Sequence, residues 1–302
     1  MKNTQKIKKL LTASIIAGTV YGLLALLTGL MINYNVLLLD GVYTMVGALM
    51  SLIALYIAKF IQTQDFERFP FGKESLMPLV VFIQYSVILL ISSYGLIESF
   101  FSLLYADTYV DLAIGLPFSL FGTLFCFVFY LYLKRNPINH SFYKVELEQW
   151  RFGFLFSLGV VVSIIVSGLL ARTPYLAIAQ LIDPVISIGI TIFYIYLSVA
   201  EIKNATLELT YAPPKYELRE KILLVVDKLL QNVAIETYVL RIAKVGDQVI
   251  LELDIVILPD SELDSIRAQD HLRDKLNHKV TEGFSDYSLR LNINFIGDLK
   301  WA

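Results

Sequence analysis

Six long apolar segments make up most of the first two thirds of this chain. Each has close to the roughly 20 residues that an α-helix needs to cross the hydrocarbon core of a bilayer, and they span residues 10–33, 36–61, 76–103, 111–133, 151–171 and 176–200. Hydrophobic residues form 56% of the chain, above the roughly 45–50% typical of soluble domains. The sequence therefore predicts an integral membrane protein with an all-α domain of six transmembrane helices.

The basic residues near the ends of these segments are distributed unequally between the two sides of the membrane. One side carries Lys2, Lys6, Lys8 and Lys9 at the N-terminus, Lys59, Arg68 and Lys73 in the 2–3 connection, and Lys134, Arg135, Lys144 and Arg151 in the 4–5 connection. The connections of the other side hold only Arg172. Because cytoplasmic loops are rich in Lys and Arg, we expect both termini to be cytoplasmic, in a cell or inner membrane. The first segment exceeds the length of a signal-peptide core, so we expect it to be a retained helix.

The composition changes after Glu201, where charges become frequent and long apolar runs end. Pro213-Pro214 is expected to break the preceding helix because proline cannot continue its hydrogen-bond ladder. The remaining pattern predicts a small cytoplasmic α+β domain of ferredoxin-like order αββαβ: helix 215–232, strand 238–244, a turn at Gly246-Asp247, strand 249–257, helix 261–282 and strand 288–296. We place the membrane domain at 1–207 and this domain at 208–302. A domain of that size buries a modest core, so we expect it to form a homodimer.

Several classes of function lack support in the sequence. Cys126 is the only cysteine, which rules out an internal disulfide framework and any multi-cysteine metal site. The phosphate-binding pattern G-x-x-x-x-G-K-[ST] is absent, so the chain is not expected to hydrolyse ATP. The three histidines have no neighbours that suggest hydrolysis, and the net charge of −2 gives no reason to expect nucleic acid as a partner. We therefore expect neither an enzyme nor a requirement for a cofactor.

Asp40 is the most informative polar residue, because it lies in the apolar second segment. A charged carboxylate at the centre of a transmembrane helix costs roughly 2.5–3.5 kcal/mol, and such residues often mark ion pathways or proton relays. The alternative interpretation is that Asp40 is protonated, or that it joins two helices by a hydrogen bond. Gln84 in the third segment has the same two interpretations, a path residue or a contact between helices.

Four local motifs resemble those of the cation diffusion facilitator family. They are Leu39-Asp40-Gly41, the connection from Arg68 to Leu79 with its Phe69-Pro70-Phe71-Gly72 core, Ser157-Leu158-Gly159-Val160, and Asp183-Pro184. The resemblance covers nearly the whole chain. It implies a homodimeric secondary transporter that exports a divalent metal cation, with protons as the exchanged ion.

In this family, the second and fifth helices each present two metal ligands four residues apart, which places both on one face of the helix. Here Asp40 matches the first position and Thr44 the second, while Gln149 and Gly153 stand at the fifth-helix positions. The site that the resemblance implies is therefore largely without its usual carboxylates and histidines.

Three interpretations of this degenerate site remain open. The first is a site rebuilt from oxygen donors, with the candidate ligands Asp40, Thr44, Gln149, Glu146 and Asp183. Such a set suits a hard cation better than Zn²⁺, which favours nitrogen and sulfur ligands. The second is a transport-inactive binding or regulatory protein on the same fold. The third is a different register of the fifth helix.

The C-terminal domain of the family often carries regulatory metal ligands, including a histidine near its last strand. Asn292 and Asn294 stand there in this chain, and Asn is a poor ligand for Zn²⁺. We therefore expect the cytosolic metal sites to be absent, with His271 and Asp270 or Asp274 as a weak alternative.

Overall fold

The computed structural model describes residues 2–32, 35–61, 63, 65, 67–105, 112–138, 140–170, 174, 176–214, 216–231, 233–259, 261–284 and 287–302. The chain folds into two compact units, Met1–Ala205 and Thr206–Ala302. Asp183 lies on a helix of the first unit, but its side chain is outside the described part of the structure.

The first unit is built from six long helices, as the sequence predicts. These are α1 (Lys2–Ile32), α2 (Asn35–Ile61), α3 (Leu76–Tyr105), α4 (Leu112–Arg135), α5 (Ser141–Leu170) and α6 (Leu176–Leu209). All six contain a stretch long and apolar enough to cross a membrane. Large apolar side chains such as Met31, Leu90 and Tyr196 are well exposed, as expected for helix faces in contact with lipid. The prediction of six transmembrane helices is confirmed.

The fifth helix begins ten residues before its predicted start. Lys144 and Arg151, which we assigned to the 4–5 connection, instead lie on α5. The reason is that the first turns of α5 are amphipathic: Phe142, Glu146 and Trp150 are buried, whereas Lys144 and Arg151 are exposed. A search for continuous apolar runs does not detect a helix with this 3.6-residue pattern.

The sixth helix ends before the proline pair that was expected to break it. Tyr211 adopts a positive φ of 58°. Its N–H donates to the Glu208 carbonyl, and the N–H of Ala212 donates to the Leu207 carbonyl at 2.9 Å. This pair of bonds is a Schellman motif, which satisfies the last carbonyls of a helix. The helix is therefore terminated by its own C-cap rather than by Pro213.

Helices α1 and α2 pack closely around Gly41, the residue after Asp40. A Cβ atom at this position would lie 2.7 Å from Cγ of Leu26 and 2.8 Å from its backbone nitrogen. Small residues at such crossings let two helix backbones approach each other. The close approach brings Asp40 to the neighbouring helix α1.

The second unit contains the predicted αββαβ order. Its elements are α7 (Tyr216–Leu230), β1 (Ile235–Val245), β2 (Gln248–Ile257), a 3₁₀ turn (Glu262–Asp264), α8 (Ile266–Gly283), β3 (Ser288–Ile296) and a final 3₁₀ turn (Leu299–Trp301). The sheet order is β1-β2-β3, with β1 antiparallel and β3 parallel to β2. Both helices contribute to one core with alternate residues of β2, namely Ile222, Val226 and Leu230 of α7, Leu272, Leu276 and Val280 of α8, and Val249, Leu251, Leu253 and Ile255 of the strand. The α+β fold is confirmed.

Asp254 is buried, although its neighbours in β2, Leu253 and Ile255, face the helical core. Its carboxylate accepts a hydrogen bond from Nη1 of Arg241 at 2.6 Å and another from Nδ2 of Asn294 at 2.7 Å. The side-chain amide of Asn294 is thus hydrogen-bonded to a neighbouring strand of the sheet. In the residues that the structure describes, no group of three or more His, Cys, Asp or Glu side chains is arranged to hold a metal ion.

Candidate cation site

A cavity of about 60 Å³ lies among the six helices of the membrane unit. Every helix contributes to its wall, and the polar or ionisable lining residues are Ser14, Asp40, Tyr43, Thr44, Gln84, Tyr85, Cys126, Gln149, Trp150 and Tyr194. Because one water needs about 10–15 Å³ of such space, the cavity has room for about four waters. It can therefore hold a small cation together with part of its hydration shell.

Asp40 is the only Asp or Glu among the described residues that line this cavity. Its side chain is 3% exposed, and its Oδ2 accepts a hydrogen bond from the Tyr21 hydroxyl at 2.6 Å. The Tyr21 ring stacks on Phe118 and Phe125 of α4, and the same hydroxyl lies 3.3 Å from Oγ of Ser157. A buried tyrosine thus holds one oxygen of the carboxylate, which leaves Oδ1 as the oxygen for a cation.

Thr44 lies one turn after Asp40 on the same face of α2. Its hydroxyl donates to the backbone carbonyl of Asp40 at 2.9 Å. A hydroxyl oxygen that donates its hydrogen to the helix keeps its lone pairs for another partner. The Thr44 hydroxyl therefore keeps a neutral acceptor oxygen, and Thr44 lines the same cavity as Asp40.

Gln149 on α5 and Gln84 on α3 meet across the cavity. Nε2 of Gln84 donates to Oε1 of Gln149 at 3.2 Å. Gly47 on α2 makes room for this amide, because a Cβ atom there would come within 1.6 Å of Nε2 of Gln149. Gly153, one turn after Gln149, also lines the cavity.

The structure brings three of the five predicted ligands together, namely Asp40, Thr44 and Gln149. Glu146 is buried but is not among the cavity-lining residues. Its carboxyl oxygens are hydrogen-bonded to the hydroxyls of Ser14 and Ser51. Asp183 cannot be placed, since its side chain is outside the described residues.

Two residues of the site were missed by sequence reasoning. Tyr21 looks like an ordinary aromatic residue of an apolar helix, and only the packing of α1 against α2 brings its hydroxyl to Asp40. Cys126 was considered only as an isolated cysteine, yet it lines the cavity, and its Sγ is 3.6 Å from the position of a Cβ atom on Gly153. In the sequence, its only signal is that it is a small polarisable residue in a helix rich in aromatic residues.

The described side chains that line this cavity offer mostly oxygen atoms and little charge. They offer one carboxylate, neutral amide and hydroxyl oxygens, and a single sulfur atom. Tetrahedral zinc sites use histidine, cysteine and carboxylate ligands, whereas carboxylate, carbonyl and water oxygens suit Mg²⁺ and Mn²⁺.

Comparison with known proteins agrees with this architecture. The family model described as the cation efflux transmembrane domain matches residues 11–210, about two thirds of the chain. No curated protein matches the chain. The chain therefore belongs to the cation efflux family, the cation diffusion facilitators, and is an integral membrane transporter of cations.

Proposed function

We propose that this transporter exports a hard divalent cation, such as Mg²⁺ or Mn²⁺, from the cytoplasm in exchange for protons. The observation that carries the proposal is the cavity that Asp40, Thr44 and Gln149 line together. Mg²⁺ usually keeps several waters and binds through one or two carboxylates. One carboxylate in a cavity with room for water fits that behaviour.

Asp40 also gives the site a means to alternate between ions. The carboxylate binds either a cation or a proton, so a proton that arrives at Asp40 displaces the cargo. A transporter that favours the cation-bound state on one side and the protonated state on the other uses the proton gradient to drive export. Protons that enter the cytoplasm down their gradient drive the exchanged cation outward, so exchange with protons implies export.

We propose further that the protein works as a homodimer through its C-terminal domain. The domain is small, and a second copy would increase its buried apolar surface. The contribution of Asp183 as a direct ligand remains a prediction, and the proposed site needs neither Asp183 nor Glu146.

Uptake of Mn²⁺ into proteoliposomes under a pH gradient tests this function. The wild-type protein is compared with Asp40→Asn, which keeps the shape of the side chain and removes its charge. Ser198→Ala is the matched control, because Ser198 is a fully buried serine of the same unit whose hydroxyl has no hydrogen-bond partner among the described residues. We expect gradient-driven uptake in the wild type and the control and its loss in Asp40→Asn.

Equal uptake in all three proteins would remove Asp40 from the mechanism. Mn²⁺ binding without any flux in the wild type would instead support the alternative of a transport-inactive binding or regulatory protein. Binding is measured directly from the electron paramagnetic resonance signal of free Mn²⁺, which decreases when the ion binds to the protein.

A further inference from the structure

A second buried carboxyl group lies beside the cation cavity but outside its wall. Glu146 on α5 is 3% exposed. Its Oε2 accepts a hydrogen bond from the Ser14 hydroxyl of α1 at 2.5 Å, and its Oε1 is hydrogen-bonded to Ser51 of α2. Nε1 of Trp150 donates to Oγ of Ser14 at 2.7 Å. Three helices thus enclose one carboxyl group with neutral partners.

No positive charge compensates Glu146 in the described part of the membrane unit. On the three helices that enclose it, the titratable or charged side chains that the structure describes are Lys6, Lys8, Lys9 and Tyr21 on α1, Asp40, Tyr43, Tyr56 and Lys59 on α2, and Tyr143, Lys144, Glu148 and Arg151 on α5. The cavity adds Tyr85 from α3, Cys126 from α4 and Tyr194 from α6. The hydrogen-bond partners of the Glu146 carboxyl in the described structure are the neutral hydroxyls of Ser14 and Ser51, and Arg151 pairs with Glu148 at 3.0 Å. An unpaired buried charge is costly, so the neutral, protonated acid is the favoured form in this conformation.

The hydrogen bonds of the cluster can be completed in both protonation states. The Ser51 hydroxyl has one hydrogen and reaches two acceptors, the carboxyl of Glu146 and the carbonyl of Gly47 at 3.0 Å. With Glu146 protonated, the acid donates to Ser51 and Ser51 donates to Gly47. With Glu146 ionised, Ser51 turns and donates to the carboxylate, as Ser14 already does. The proton can therefore leave or return without leaving a buried polar atom unpaired, which would be unfavourable.

The cluster is also connected to the cavity. Ser14 and Trp150 both line it, so one hydroxyl separates the Glu146 carboxyl from water in the cavity. A cation that enters the cavity favours a negative charge nearby and so favours release of the proton from Glu146, and reprotonation favours release of the cation. Binding of a cation in the cavity and binding of a proton at Glu146 therefore oppose each other.

We propose that Glu146 is a proton-binding site, distinct from the cation cavity, and that it carries the proton exchanged for the cation. The proton leaves the carboxyl oxygen for water in the cavity, and the resulting carboxylate accepts hydrogen bonds from Ser14 and Ser51. The proposal rests on the proposed exchange of a cation for protons and adds to Asp40 a second group that releases and takes up a proton.

Infrared spectroscopy of the purified full-length protein tests the protonation itself, without transport. The C=O stretching band of a buried carboxylic acid should be present in the wild type at neutral pH, absent in Glu146→Gln and present in Asp40→Asn. An unchanged band in Glu146→Gln would overturn the proposal. This result does not depend on whether the protein transports Mn²⁺.

Transport in proteoliposomes tests the coupling. Glu146→Gln mimics the neutral acid, so we expect it to retain Mn²⁺ binding, measured by the loss of the free-ion paramagnetic resonance signal, and exchange of Mn²⁺ for Mn²⁺, and to lose accumulation driven by a pH gradient. Ser51→Ala should weaken gradient-driven accumulation, and Ser51→Thr, which restores the hydroxyl, should recover it. Gradient-driven accumulation in Glu146→Gln at the wild-type rate would overturn the proposal. If the wild type shows no such accumulation, the proposed proton exchange itself fails and the carrier role of Glu146 fails with it.

Discussion

Replacing Gly47 with alanine tests whether the Gln149 amide belongs to the cation site. A Cβ atom at residue 47 would lie 1.6 Å from Nε2 of Gln149 and 2.7 Å from its Cδ. No pair of non-bonded atoms tolerates such distances, so the amide must move. Because the clash involves the end of a flexible side chain, the rotation of Gln149 relieves it without separating the helices. The fold should survive, but the hydrogen bond from Gln84 should be lost.

The size of the effect follows from the interaction that is removed. A hydrogen bond typically contributes about 0.5–1.5 kcal/mol, and 1.4 kcal/mol is a tenfold change in a dissociation constant. If Gln149 binds the cation or one of its waters with similar strength, the Kd for Mn²⁺ should rise by about two- to tenfold. The thermal unfolding temperature should remain close to that of the wild type.

The assay is a titration of the purified protein with Mn²⁺, in which the paramagnetic resonance signal of the free ion gives the Kd. The matched control is Gly189→Ala on α6, where a Cβ atom would meet nothing within 4 Å. The control should reproduce the wild-type Kd. If Gly47→Ala and Gly189→Ala give the same Mn²⁺ dependence, Gln149 is not a ligand and the proposed site loses its contribution from α5.

Three further changes test other contacts. Tyr21→Phe removes the hydroxyl that holds Asp40. A hydrogen bond to a charged group contributes about 1.5 kcal/mol or more and stabilises the carboxylate that binds the cation, so Mn²⁺ should bind about tenfold more weakly; unchanged or tighter binding would contradict the role given to Tyr21. Asp254→Ala removes a buried partner of the half-exposed Arg241. It should lower the free energy of unfolding by about 1–3 kcal/mol, measured by chemical denaturation of the intact protein. An unchanged free energy of unfolding would mean that the pair contributes nothing to stability. Burial, with a hydrogen bond to an aspartate, raises the pKa of Tyr238 from 10.0 to about 12. The contribution of the Tyr238 hydroxyl to stability is therefore complete below pH 10 and is lost as the pH rises through about 12. Between these pH values the free energy of unfolding should fall less in Tyr238→Phe than in the wild type. An equal fall in both proteins would refute the raised pKa of Tyr238.

Much of the fold followed from the sequence because its signals are local. A transmembrane helix requires a long apolar run to satisfy its backbone in lipid, and the strand Ser288–Ile296 shows the alternation of a half-buried sheet. The errors lie at the ends of helices, where the residues that fix the end do not belong to an apolar run. The amphipathic first turns of α5 escaped a search for hydrophobic length, and the C-cap at Tyr211 ended α6 before the prolines did.

The sequence alone determined that Asp40 lies in a membrane helix with Thr44 one turn away, because this relation depends only on helical periodicity. It matched Gln149 and Gly153 to fifth-helix positions only by resemblance, since the predicted helix began after Gln149, and the structure places both residues on α5. Tertiary structure decided the rest. Tyr21 bonds to Asp40, Gln84 reaches Gln149, and Glu146 turns toward Ser14 and Ser51 instead of the cavity. These contacts join helices that are distant in the chain, and they depend on how the helices rotate and cross. Periodicity within one helix carries no information about that rotation, so only the packed structure separates the proposed cation ligands from the proposed proton site.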